Sequence, residues 1–440
     1  MEFWLFLLLI SFSVFFYSFL FRSIAQKSRE SQGSTEGKEI PGTIDLKKKT
    51  EVEDSAKLRP ITKNEESELR HCFPWGVYYL QNIDYRPQAI LCRGKLRTNP
   101  ESAYKTVQEN VESKFRDRFL VVFQEGLKEK PFFALVPNPE AKLTEDTQKK
   151  ITRPFLALGL LLITLFTTTL VGAALAEVSP EALQADVSLL LQGLPYAVTL
   201  LAILGIHETG HYLMTQRYKI KATLPYFIPV PFFLGTFGAF IQMRSPVPNR
   251  KALFDIAVAG PLAGLVASLP ALLWGLSQSE IVPLSDESSL LNFRSLDPRF
   301  SLMLSVLAKF MMGSELSPGM AISLHPVAMA GFIGVVVTAL NLMPVGQLDG
   351  GHIVHAMFGQ KTGAVIGQIA RFLVFLLAIA ESGFLLWAII LLFMPVLDEP
   401  ALNDVSELDN GRDFLGMFCL VLLVIILLPI PATLVQWLNI

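Results

Sequence analysis

The chain has 440 residues, of which 51% are hydrophobic and only 17% are charged, where soluble domains carry about 25% charge. Several uninterrupted apolar runs reach the length of a bilayer crossing, about 20 residues, which excludes one large soluble core. A formal net charge of -2 with no long basic stripe gives no basis for a nucleic-acid partner. The three cysteines, Cys72, Cys92 and Cys419, form no close pair in sequence, so neither a disulfide framework nor a cysteine zinc site is expected.

In chain order, the first apolar run is Phe3 to Phe21, followed by Arg22, Lys27 and Arg29. The positive charges come after the run rather than before it, which favours a retained anchor over residues 1–22 rather than a cleaved signal peptide. The positive-inside rule then places the N-terminus outside and the next segment in the cytosol. Residues 23–58 are rich in Lys, Glu, Ser, Thr and Gly, the composition of a flexible linker. Residues 59–150 regain globular composition and predict a small cytosolic α/β domain. Ala89-Ile90-Leu91-Cys92 reads as a strand. Asn99-Pro100-Glu101 supplies a cap, a proline for the first helical position and an acidic first turn, opening a helix to about Phe115. Phe119 to Phe123 and Phe132 to Val136 read as two further strands.

Residues 151–440 predict a membrane-embedded domain, with helices near 154–176, 188–217, 252–276, 324–343, 362–380, 383–396 and 413–435. With the anchor, the fold class is an α-helical polytopic membrane protein of about eight transmembrane helices carrying a small soluble α/β domain. Basic residues recur at one set of helix ends: Lys149, Lys150 and Arg153, then Arg217, Lys219 and Lys221, then Arg244, Arg250 and Lys251. The loop at 177–187 is acidic. The basic ends are expected in the cytosol.

The sharpest motif is His207-Glu208-Thr209-Gly210-His211. On a helix the two histidines lie at i and i+4 and project from one face. That spacing suits one Zn²⁺ at about 2.0–2.1 Å from each nitrogen. Glu208, one step round the helix, is placed to act as general base on an activated water. These ionisable groups continue the apolar run Val198 to Ile206, where they are expensive and usually functional. A catalytic zinc needs a third protein ligand and an open position. Asp349 is the best candidate, in Asn341-Leu342-Met343-Pro344-Val345-Gly346-Gln347-Leu348-Asp349-Gly350-Gly351, because Pro344 and Gly346 break the preceding helix. The competing reading makes Asp349 an interfacial cap. His352 and His355 are rival ligands, more simply explained as near-surface residues beside the turn. Asn341 either donates its amide to a developing oxyanion or bonds a neighbouring helix.

Gly260-Pro261-Leu262-Ala263-Gly264 interrupts another apolar helix, and its small residues point to close helix packing. Asp255, earlier in that helix, is expected to snorkel or pair with Lys251. Leu224 to Gln242 is apolar but carries three prolines and two glycines, so a re-entrant loop or hairpin is expected. Its edge could take an unwound substrate by strand addition.

HETGH at 207–211, GPLAG at 260–264 and NLMPVGQLDGG at 341–351, in that order, resemble the site-2 protease family of intramembrane zinc metalloproteases. The stretch FGAFIQMRSPVPNRKALFDIAVAGPLAG, the α/β domain and PALNDVSELD near the C-terminus resemble its cyanobacterial and chloroplast branch. The resemblance implies His207, His211 and Asp349 as ligands of one Zn²⁺ per chain. It makes Glu208 the catalytic base and Asn341 a transition-state aid. It further implies membrane-spanning protein substrates already cleaved by another protease, in a plasma or thylakoid membrane. A catalytically silent membrane chaperone or scaffold and a metal transporter are the alternatives from other classes.

Overall fold

A computed structural model describes residues 61–126, 130–138, 153–232, 234–284, 293–380 and 384–440, all within one compact unit from Pro60 to Ile440. The anchor and linker expected at 1–22 and 23–58 lie outside the described residues.

The first part is an antiparallel sheet with two helices. Helix α1 (Lys63–His71) begins on a capping box in which Thr62 and Glu65 each satisfy the other's backbone N–H. Strands β1 (Tyr78–Arg86) and β2 (Ala89–Leu96) form a hairpin. Helix α2 (Pro100–Phe115) follows, then β3 (Phe119–Glu125) and β4 (Pro131–Pro137), in the sheet order β1-β2-β4-β3. Helix α2 starts as its residues predict, with the Asn99 side chain accepting from Glu101 N and Pro100 in the first turn. It buries Ala103, Val107, Val111 and Phe115, a stripe of i+4 steps facing the sheet. The core closes on aromatic rings, with Phe123 stacked on Phe133 at 4.1 Å and Tyr78 edge-on to Phe133 at 4.9 Å. Cys72 and Cys92 are buried free thiols here.

The rest is helical. Its helices of nine residues or more are α3 (Pro154–Leu175), α4 (Leu194–Arg217), α5 (Arg250–Ser277), α6 (Leu302–Met312), α7 (Pro326–Leu342), α8 (Asp349–Phe358), α9 (Gln360–Ala380), α10 (Leu385–Phe393) and α11 (Asn410–Leu427). A hairpin of β5 (Tyr226–Pro229) and β6 (Thr236–Phe240) separates α4 from α5. A second two-stranded antiparallel sheet, β7 (Glu280–Pro283) with β8 (Met320–Ser323), brackets α6 in the chain. Among the described residues, five helices are long and apolar enough to cross a bilayer: α3, α4 with its 3-10 lead-in from Val187, α5, α9 and α11. The protein is thus a helical membrane protein. Helix α7 has 17 residues and is strongly apolar, and it is buried against α5 and α4. The expected helix at 188–217 starts later, at Leu194, because Asp186 caps a 3-10 turn over Val187–Gly193. Helix α6 and the β7–β8 sheet had no counterpart in the expected elements.

Glycine sets how closely these helices approach. A β-carbon on Gly210 would lie 2.6 Å from the Ala259 carbonyl oxygen, and one on Gly172 would lie 2.5 Å from that of Gly193. Helices α4 and α5 therefore touch backbone to backbone beside the histidines of α4.

Candidate metal centre

His207, Glu208 and His211 sit on the buried stretch of α4, each under 9% exposed. The imidazole Nε2 atoms of His207 and His211 are 3.2 Å apart. Asp349 is the first residue of α8. Its Oδ2 lies 3.3 Å from His211 Nε2 and 3.7 Å from His207 Nε2. Ligands about 2.05 Å from a tetrahedral zinc stand about 3.3 Å from one another. The three donor atoms thus already form one face of such a tetrahedron. Among the described residues, these three form the one group of His, Cys, Asp and Glu side chains that could hold a metal ion.

The surroundings fix how each ring is presented. His211 Nδ1 is 2.8 Å from the Ile256 carbonyl oxygen. A carbonyl only accepts, so Nδ1 carries the proton and Nε2 keeps a lone pair for a metal. Pro261 in α5 removes the donor that the Ala257 carbonyl would otherwise have, loosening the helix at this level. A β-carbon on Gly260 would fall 2.0 Å from His211 Nε2, and one on Gly264 would fall 2.9 Å from His207 Nδ1. The GPLAG segment therefore gives the two rings their space, beyond the packing role expected of it.

Asp349 reaches the histidines because of the helix break before it. The chain turns through Pro344, Val345 and Gly346, with Gly346 at φ +52°. Gly350 and Gly351 lie directly against that turn, where β-carbons would fall 2.0 Å from Leu342 O and 2.2 Å from Gly346 O. They form the first turn of α8 rather than a loop. The Asn341 amide Nδ2 lies 3.2 Å from His207 Nε2, beside the donor triangle. All the expected site residues thus converge. They line a cavity of about 280 Å³ with Ala239, Phe240, Ile241, Gln347 and His352. Ile241 lines this cavity together with Glu208, which puts the end of β6 beside the glutamate.

Two expectations change. Asp255 pairs with Arg412 of α11 through two bonds of 2.7 Å and accepts from Tyr218 Oη at 2.5 Å. Lys251 instead reaches Glu101 in the first turn of α2 at 3.4 Å. His355 is buried rather than near-surface, at 1% exposed. Its Nδ1 is 2.5 Å from Asp398 Oδ2 and its Nε2 is 2.8 Å from Asp404 Oδ1. The same Asp398 oxygen is 2.9 Å from His352 Nδ1. Helix α8 is not one of the five candidate spans. Burial alone would lower the His355 pKa, but the hydrogen bonds with Asp398 and Asp404 outweigh it and raise it to about 9. Burial alone would raise Asp398, but the bonds from His352 and His355 bring it down to about 2. No spacing rule joins residues so far apart in sequence, so these partnerships could not be read from the chain.

Two histidines one helical turn apart, a carboxylate completing their triangle and a glutamate beside them are the apparatus of a zinc hydrolase, here walled by apolar helices. The chain belongs to peptidase family M50, whose model matches residues 195–380. It is 28% identical over 418 residues to the probable zinc metalloprotease EGY2, chloroplastic, of Oryza sativa subsp. indica, covering 93% of this chain and 72% of that protein. It is 30% identical over 370 residues to the probable zinc metalloprotease EGY1, chloroplastic, of Arabidopsis thaliana, covering 78% of this chain and 66% of the relative. Against the EGY2 protein of Arabidopsis thaliana it is 28% identical over 363 residues and spans 63% of that chain. The protein is an intramembrane zinc metalloprotease.

Proposed function

We propose that His207, His211 and Asp349 hold the zinc ion, that Glu208 is the catalytic base and that Asn341 assists at the transition state of peptide hydrolysis. The observation that carries this assignment is the donor triangle of 3.2, 3.3 and 3.7 Å. Bound there, zinc supplies Lewis acidity, polarising the scissile carbonyl and making water a better nucleophile. Glu208 takes a proton from the attacking water and passes it to the departing amine nitrogen, so the carboxylate ends as it began. The Asn341 amide is placed to donate to the oxygen on which negative charge develops.

The substrate is a membrane-spanning protein, previously trimmed by another protease. Its helix must unwind before cleavage, because a helical peptide bond is already hydrogen-bonded and shielded. The free edge of β6 supports docking of the unwound segment as an added strand. Gln242 N and O both face Thr223 on the β5 side. By alternation, Ala239 and Ile241 direct their backbone groups away from β5, towards the cavity they line. The relatives' printed names place them in the chloroplast, which favours a thylakoid setting for this chain.

Glu208→Gln is the test. It leaves the three ligands in place and removes the proton carrier. Zinc content measured by atomic absorption should match the parent, and cleavage of a transmembrane substrate in proteoliposomes should drop by about 10²–10⁴-fold. Near-normal cleavage by the purified variant would remove Glu208 from the mechanism.

A further inference from the structure

We propose that residues 398–406 act as a strap coupling the α/β domain to the metal centre, with His355 as the positioning residue that passes the coupling to the helix carrying Asp349. The inference rests on the reading of Asp349 as a zinc ligand.

The strap is an irregular segment bridged at Asn403 to both parts of the molecule. On one side, Phe123 N of β3 donates to Leu402 O at 2.7 Å and Asp404 N donates to Phe123 O at 2.9 Å. On the other side, Leu402 N donates to Val247 O at 2.9 Å and Asn403 N to Pro248 O at 3.0 Å. Asn403 therefore pairs in parallel with both Phe123 and Asn249. Asn249 is the N-cap of α5, the helix that presents Ile256, Gly260 and Gly264 to the histidine rings. The strap thus extends the α/β sheet to the root of one wall of the site.

Its second grip is on α8. Both ring nitrogens of His355 face carboxylate oxygens, so both carry protons and the ring is an imidazolium between two anions of the strap. Arg250, also at the root of α5, donates to the His355 and Ala356 carbonyls at 3.2 and 2.9 Å. Separating any member of this group would strand a buried charge, so strap and helix move together. Helix α8 has only ten residues, and His355 lies about 9 Å along its axis from Asp349 at 1.5 Å per residue. A small rotation at His355 therefore displaces Asp349, whose carboxylate must meet its metal within about 0.5 Å. Asp398 also holds His352, so the cavity wall follows the same anchor. Lys361 Nζ bonded to Gly126 O at 2.6 Å and the Lys251–Glu101 pair tie the same helix ends to the α/β domain.

Coupling of this kind is reciprocal, so metal occupancy must be felt at the strap. Amide hydrogen exchange on the full-length protein in nanodiscs, zinc-loaded and chelator-stripped, reads it without any substitution. Stripping zinc should speed exchange at Phe123, Leu402, Asn403 and Asp404 about tenfold and leave β1–β2 amides unchanged. Asp404→Asn should abolish that difference and weaken zinc binding about tenfold. Asp84→Asn, which loses the Arg93 pair on the far side of the sheet, should change neither. Zinc-independent exchange at the strap, with zinc lost in Asp349→Ala, overturns the coupling alone. Full zinc retention in Asp349→Ala overturns both the coupling and the ligand assignment it rests on.

Discussion

A β-carbon at position 260 would occupy space that the His211 ring already fills, 2.0 Å from Nε2. No rotamer of alanine avoids this, because the β-carbon is fixed by the backbone. The ring cannot retreat without losing its bond to Ile256 O. Gly260→Ala should therefore lower zinc affinity at least about tenfold, the scale seen when a ligand's outer support is lost. Gly264→Ala, with 2.9 Å to His207 Nδ1, should do less. Competition with a chelator measures both, and equal affinities for parent and Gly260→Ala would show that the ring has another place to sit. That His207, Glu208 and His211 gather on one buried stretch of helix was legible in sequence because it depends on spacing within that helix. Asp349 was legible because a helix break next to a carboxylate is a local signal. The glycines were visible too, but that they face the histidine rings is a fact of tertiary contact. His355 is the opposite case, since its partners lie 43 and 49 residues away. Its environment carries a pH signature. The folded-state pKa is raised to about 9 from about 6.5 for the free side chain. Asp398 and Asp404 face the ring, His352 shares Asp398, and Arg250 binds the backbone carbonyl behind it. The stabilisation is complete below about pH 6.5 and fades as pH rises through about 9. Thermal unfolding in micelles from pH 6 to 10 should show the parent losing its advantage over His355→Gln across that window. An advantage that persists unchanged at pH 10 would mean the imidazolium contributes nothing.

Among the elements, the β5–β6 hairpin shows best what a sequence can and cannot disclose. Three prolines and two glycines in an apolar stretch exclude a continuous helix, and the hairpin follows. The pairing Tyr226 with Phe240 and Phe227 with Ala239 depends on anchors from elsewhere. Thr167 donates to Gly235 O at 2.7 Å and Tyr196 to Leu234 O at 3.0 Å, contacts that no local pattern announces. Strand β1 was missed for another reason. A bulge between Leu80 and Asn82 breaks the alternation on which strand reading depends. Helix α8 was hidden because Gly350 and Gly351 look like a turn until the 342–346 segment is packed against them. If β6 takes the substrate as an added strand, Ala239→Pro removes one backbone donor from the free edge. One such bond contributes about 1 kcal/mol, so KM should rise about fivefold with kcat and zinc content nearly unchanged. Phe240→Pro strikes the β5 side instead and should damage the hairpin itself. An unchanged KM in Ala239→Pro would remove strand addition from the account of substrate binding.

For the whole molecule, the contacts divide the helix ends into two sets. One set holds the C-terminal end of α4, the start of α5 and the start of α11. Tyr218, Asp255 and Arg412 join these three. The end of α8 joins the same set through Arg250, the start of α9 through Lys361, and the edge of β3 through residues 402–404. The other set holds the junction of α3 with the 3-10 turn before α4, where Gly172 meets Gly193. It also holds the end of α5, whose Ser279 neighbour accepts from His325 N at the start of α7, and the end of α11, where Ile426 O accepts from Ser301. The first set carries Arg217, Lys219, Lys221, Arg244, Arg250 and Lys251, and the second carries the acidic turn around Glu181 and Asp186. Basic flanks stay on the side of synthesis, so the first set should face the cytosol or its plastid equivalent, the stroma. Asp349 follows α7 as that helix returns towards this set, which places the metal centre nearer the basic face. Substrate should then be cut near its own end on that side, releasing the fragment there. The three native cysteines are buried, so single introduced thiols can be read cleanly. Arg217→Cys should be labelled by a membrane-impermeant maleimide only after permeabilisation of right-side-out vesicles, and Gln184→Cys without it; both positions are exposed. The reverse labelling would invert the orientation and send the product to the opposite compartment.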